Sequence, residues 1–156
     1  MVKKNRVLLL GIGNPLLTDD GIGIVAARDI SKMKLPGVDV EEATASGIEV
    51  MEMMLGYEKV VVVDAIMWPD HEPGEILRLD EKDFSHTVHG SSPHGVNIST
   101  AIALGRQTAP EEMPKEIIFL AMQAEDVSTF SERQTPRVRK SIPAFISAVL
   151  KEVERP

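Results

Sequence analysis

Two carboxylates at the ends of separate apolar runs, and a histidine just ahead of a helical segment, are the residues whose types could do chemistry together. Asp20 stands in RVLLLGIGNPLLTDDGIG, Asp64 closes KVVVVDA, and His94 follows Ser92-Pro93. Two carboxylate oxygens and one imidazole nitrogen make three protein ligands with open positions, a set suited to a catalytic or recognised divalent metal. The same residues have a plainer reading. Asp20 caps a helix, Asp64 starts a turn, and His94 is a surface loop residue.

The elements that must position these groups can be read from pattern. Val7 to Leu10 is a short apolar run, suited to a buried parallel strand. It breaks at Gly11 and Gly13, and Asp19 and Asp20 stand at the mouth of a helical segment, Gly21 to Met33, with Asp19 or Asp20 as its N-cap. Val38 to Ala43 alternates as a second strand, the small-residue turn Thr44 to Gly47 follows, and Ile48 to Leu55 is a short helix. Lys59 to Ala65 holds four consecutive valines, a strand buried on both faces that ends on Asp64. Adjacent parallel strands lie about 4.8 Å apart, so carboxylates at two strand ends can converge. In open α/β sheets that edge is where ligands bind.

Gly74 to Leu79 alternates like a half-exposed strand. Asp80 to Pro93 is polar and irregular, and Gly95 to Gly105 has helical spacing. Glu116 to Met122 is a further strand, followed by the polar loop Gln123 to Gln134. Thr135-Pro136 starts a helix to about Val153, kinked or divided at Pro143. The alternation β-α-β-α-β-β-α-β-α implies an α/β fold with a mostly parallel sheet covered on both faces. With no internal repeat or linker, residues 1–156 read as a single domain.

Composition narrows the function classes. A formal net charge of −7 argues against a nucleic-acid partner. No apolar run approaches the roughly 20 residues that span a bilayer, so no membrane insertion is expected. Lys3, Lys4 and Arg6 precede an apolar run too short for a signal-peptide core. The chain has no cysteine, which excludes disulfides and thiolate chemistry and makes cytoplasmic residence the expectation.

Other constellations are weaker. Gly11-Ile12-Gly13 resembles the start of G-x-G-x-x-G, but Leu16 takes the third glycine's place and Asp19-Asp20 would repel a pyrophosphate. His86, His89 and His94 form a second candidate metal cluster, while His71 beside Asp70 reads as solvated. Ser46, Ser91 and Ser92 lack a G-x-S-x-G elbow. Met33, Met51, Met53 and Met54 read as core filler.

Taken together, Gly11 to Leu16 with Asp19 to Gly23, then Val63-Asp64-Ala65-Ile66, Pro73-Gly74-Glu75, Ser92-Pro93-His94 and Gln123 to Pro136, resemble in order the hydrogenase maturation proteases. That family removes a C-terminal extension from the large subunit of nickel–iron hydrogenases. The resemblance implies a three-layer αβα sandwich and places the family's metal-binding acids and histidine on Asp20, Asp64 and His94, as catalytic and metal-reading residues. Asp20 stands where some relatives have Glu. Glu42 to Gly47 replaces an Asp-Gly-Gly-Thr-like turn found in many relatives.

The resemblance further implies an endopeptidase acting on the nickel–iron hydrogenase large-subunit precursor after nickel insertion, as a monomer that docks transiently. Nickel would arrive with the substrate, and other divalent metals suit the same donors. Cleavage would be metal-assisted or acid–base, with Asp20 or Asp64 activating water. Two alternatives compete with this reading. One is a non-proteolytic nickel-checkpoint or chaperone protein of the same fold; the other is a small-molecule hydrolase or phosphorylase, against which the lack of a basic phosphate pocket counts.

Overall fold

The computed structural model describes residues 6–44, 47–87 and 93–155, and for 85–87 and 93–97 the course of the chain only. In order come β1 (Val7–Ile12), a 3-10 turn (Thr18–Gly21), α1 (Ile22–Ser31), β2 (Val38–Ala43), α2 (Ile48–Met54), β3 (Lys59–Ile66) and β4 (Ile76–Asp80). Then follow α3 (Glu81–Thr87), α4 (Pro93–Thr108), β5 (Glu116–Gln123) and α5 (Pro136–Glu154). The strands form one sheet in the order β2-β1-β3-β5-β4, parallel except for β4, which runs antiparallel to β5.

The sheet's two faces follow from the strand period of two. Leu8, Leu10, Ile12, Val60, Val62, Ile117 and Phe119 turn to one side and meet Val50, Met51 and Met54 of α2, Phe84 of α3, and Ile98 and Ile102 of α4. Val7, Leu9, Val61, Val63, Ile118 and Leu120 turn to the other side, against Ile22, Ala26 and Ile30 of α1 and Val138, Phe145 and Val149 of α5. The result is the three-layer αβα sandwich expected from the alternation. Every residue of β3 is buried, and each of its valines adds roughly 1.5–3 kcal/mol of apolar burial.

Several boundaries differ from the sequence reading. The stretch after Asp80 is not irregular at its start, because Glu81–Thr87 is a helix. Asp83 N–H donates to Asp80 Oδ1 at 2.7 Å, and Asp80 N–H to Asp83 Oδ2 at 3.3 Å. This reciprocal box closes the helix start, and it seats Phe84 in a stack on Phe119 with centroids 3.8 Å apart. Helix α4 starts at Pro93 rather than Gly95. Helix α5 runs undivided through Pro143, whose ring lies on the exposed side. Met51 and Met54 fill the core as expected, whereas Met33 lies beyond the end of α1 and is 47% exposed.

At the amino end of β3 sits a buried ion network. Lys59 Nζ donates to Glu152 Oε2 at 2.8 Å and to the Glu152 carbonyl at 2.9 Å, and Arg78 Nε reaches Glu152 Oε1 at 2.6 Å. Both Lys59 and Glu152 are buried, so each charge depends on the other.

Candidate functional site

The first helix is laid directly over the carboxyl ends of β1 and β3. A Cβ on Gly23 would run into the Val63 carbonyl oxygen and lie 2.6 Å from that of Ile12. Only a residue without a side chain lets α1 come this close. The preceding loop must therefore fold back over the sheet edge. Gly13 makes the reversal with φ of +145°, and its amide donates to the Ala43 carbonyl at 3.1 Å. Asp20 closes the loop on itself: its Oδ2 accepts the Asn14 N–H at 2.9 Å, and Asn14 Oδ1 accepts the Leu16 N–H at 2.9 Å.

Asp64 lies next to this loop. It is 6% exposed, pairs in register with Ala121 of β5, and its Oδ1 accepts the Ala65 N–H at 2.8 Å. By the strand period it shares a face with Val60 and Val62, the face on which α4 packs. Asp20 and Asp64 are thus brought to one edge of the sheet. His94 is the second residue of α4, inside the helix rather than in a loop before it, and its side chain lies outside the described residues. Among the described residues no three His, Asp or Glu side chains converge as a metal site.

The other histidines are placed differently from the sequence reading. His86 belongs to α3 rather than to a loop, its side chain lies outside the described residues, and so does His89, so the cluster they would form with His94 has no geometry here. His71 is held by Glu75, with Nδ1 and Oε2 2.8 Å apart, and its ring centroid is 5.6 Å from that of Trp68.

Neither Asp19 nor Asp20 caps α1; Gly21 takes that position with no side-chain cap. Asp19 has a role the sequence did not disclose. Fully buried, it accepts the Glu125 and Asp126 N–H groups at 2.9 and 3.0 Å through Oδ2. Thr135 donates its N–H to Oδ1 and its hydroxyl to Oδ2, both at 2.8 Å. The loop between β5 and α5 is thereby fastened to the loop that carries Asp20. Two adjacent acids thus hold different loops: Asp19 the one before α5, Asp20 its own.

Within the second loop, Asp126 binds the Thr129 hydroxyl at 2.6 Å and the Ser128 and Thr129 N–H groups. Those bonds, the Thr129 hydroxyl first, draw its carboxyl down to about 2. The loop then presents Phe130, 83% exposed. A lone aromatic in the polar run Gln123 to Gln134 was the available sequence signal for it.

Known proteins bear on this geometry. The solved structure of the hydrogenase maturating endopeptidase HybD from Escherichia coli superposes with a TM-score of 0.80 at 24% identity, covering 94% of this chain and 91% of that one. The nickel–iron hydrogenase maturation protease HybD from Thermococcus kodakarensis gives 0.81 at 22% identity, covering 96% and 99%. Both likenesses establish the fold. In sequence, the hydrogenase 2 maturation protease of Escherichia coli is 28% identical over 148 residues, 93% of this chain and 88% of that protein. The hydrogenase expression/formation protein HupD of Bradyrhizobium diazoefficiens is 30% identical over 150 residues, 91% and 74%. A family model described as hydrogenase maturation protease matches residues 25–152, a span that includes Asp64 and His94. With that span covering most of the sandwich, the chain belongs to the hydrogenase maturation protease family.

Proposed function

We propose that this protein is an endopeptidase that removes the C-terminal extension of a nickel–iron hydrogenase large-subunit precursor once nickel has been inserted. The observation that supports this most is the folding of the opening loop over the carboxyl end of β3, which brings Asp20 and Asp64 to one edge in a chain of this family. His94, at the start of α4 on the face that Asp64 shares, supplies the nitrogen donor on this reading.

Nickel here is part of the substrate and arrives bound to the precursor. Two carboxylates and one imidazole suit a borderline divalent ion. By holding that part of the precursor, Asp20, Asp64 and His94 place the scissile segment beside them, and positioning of this kind removes much of a reaction's entropic barrier. One of the two carboxylates is then within reach of a water that attacks the peptide carbonyl. The protein acts as a monomer in the cytoplasm, where the precursor is assembled.

The test is a cleavage assay on nickel-loaded and nickel-free precursor, with wild type, Asp20→Asn, Asp64→Asn and His94→Ala. Wild type should shorten only the loaded precursor, and each variant should lose on the order of 100-fold or more in rate while remaining folded. If wild type binds the loaded precursor and never shortens it, the protease reading fails and a non-proteolytic nickel checkpoint takes its place.

A further inference from the structure

Six large apolar side chains are more than a third exposed among the described residues, and their distribution is uneven. Leu16 follows β1, Ile48 follows β2, Met67 follows β3 and Phe130 follows β5. Each of the four parallel strands is therefore followed by one exposed apolar residue, three of them in loops and Ile48 as the first residue of α2. The carboxyl ends of these strands form the edge that holds Asp20 and Asp64. Met33, which follows α1, and Leu104, on α4, are the two that do not follow a strand.

Two of the four form a fixed pair. Ser131 N–H donates to the Leu16 carbonyl at 2.9 Å, and Thr18 N–H to the Ser131 carbonyl at 2.9 Å, a parallel bridge of Leu17 with Ser131. Leu16 and Phe130 are consequently neighbours in register, 50% and 83% exposed. The fold spends unfavourable terms to hold them there. Thr18 adopts φ of +53°, a strained value for a β-branched residue. Its hydroxyl donates to the Thr129 carbonyl at 2.6 Å, and the buried Asp19 carboxylate accepts hydrogen bonds from Glu125, Asp126 and Thr135 of the same loop. Phe130 contributes nothing to the core in return.

We propose that the Leu16–Phe130 pair is a preorganised apolar anchor for the hydrogenase large-subunit precursor, engaging apolar side chains on the precursor next to the segment to be cut. This rests on the proteolytic reading above, since it places the anchor beside that site: Leu16 lies four residues before Asp20 in the same loop. An exposed phenylalanine offers about 150–250 Å², a large share of one side of an interface of roughly 800 Å² per partner. The pair stands in the loops that carry Asp20, so the molecule it meets is the one that reaches that site. Rigid aromatic anchors with a polar surround are the usual energetic centres of such contacts, and Ser128, Thr129, Ser131 and Glu132 supply that surround.

The experiment measures affinity for nickel-loaded precursor and steady-state cleavage for wild type, the double variant Leu16→Ala/Phe130→Ala, and Met33→Ala as an exposed apolar control. The double variant should bind at least tenfold more weakly and raise KM to match, with kcat unchanged, while Met33→Ala matches wild type. Unchanged affinity in the double variant overturns the anchor, as does equal weakening by Met33→Ala. If wild type binds in a Phe130-dependent way and cuts nothing, the anchor stands and the proteolytic reading falls. If wild type neither binds nor cuts, both fall.

Discussion

The Asp19 carboxylate receives the main-chain N–H and the side-chain hydroxyl of Thr135, each at 2.8 Å, across 116 residues of sequence. Thr135 is the residue before α5, so one side chain ties the start of the first helix to the start of the last. The Thr135 hydroxyl makes no cap to α5 and is committed to Asp19 instead.

Asp19→Asn tests this junction. An amide in place of the carboxylate turns a donor toward N–H groups that need an acceptor, leaving buried donors unpaired. The expected loss is on the order of 3 kcal/mol, read as a lower urea midpoint. Limited proteolysis should then cut within residues 124–135, which wild type should resist.

Gly23→Ala should be costly for a reason unrelated to helix propensity, which favours alanine. Its methyl group would meet the Val63 and Ile12 carbonyl oxygens, so α1 must lift from the sheet edge. A loss of about 2–3 kcal/mol is expected from overpacking. Precursor cleavage should fall further than the folded fraction does, because the Asp20 loop moves with the helix. A stable, fully active Gly23→Ala protein would contradict the close approach.

The pH dependence of stability should carry the mark of Glu152. Burial by itself would raise its carboxyl, but hydrogen bonds from Arg78 and Lys59 outweigh burial and hold it down to about 2, against an ordinary value of 4.5. A group lowered on folding contributes stability that is complete above its unfolded pKa and is lost as the pH falls through the folded one. The advantage of wild type over Glu152→Gln should therefore be greatest near neutrality, about 3 kcal/mol, and shrink between pH 4.5 and about 2. Urea titrations of both proteins across that range measure it.

Asp80→Ala removes the box at the start of α3 and should lower the urea midpoint slightly. Phe84→Ala, which empties the stack on Phe119, should cost about 3–5 kcal/mol. The contrast between the two separates the local cap from the packing it serves.

The reach of the sequence can be judged from particular residues. The valine run of β3 and the Thr135-Pro136 helix start are strong local signals, and each stands where its pattern places it, whereas β1 runs on through Gly11 to Ile12, past the glycine at which the pattern breaks. Asp64 lies within that valine strand, two residues before its end at Ile66, and its place there needs no tertiary information. Helix α3 escaped notice because Phe84 is the lone large apolar residue in a charged turn, and a single contact with Phe119 has no period to detect. Asp19 was illegible for a different reason. Its partners are main-chain amides and Thr135, more than a hundred residues away, and no spacing encodes them.

One consequence concerns the alignment of β3. Four successive valines are equally content on either face, so hydrophobic pattern alone does not oppose a one-residue slip of that strand. Such a slip would turn Asp64 away from the α4 side, and it would also turn Lys59 away from α5, stranding Glu152 without its ammonium partner. The ion pair at the far end of the strand thus works as a vernier stop: it reads the strand's offset by one residue and fixes where, at the other end, the acid emerges.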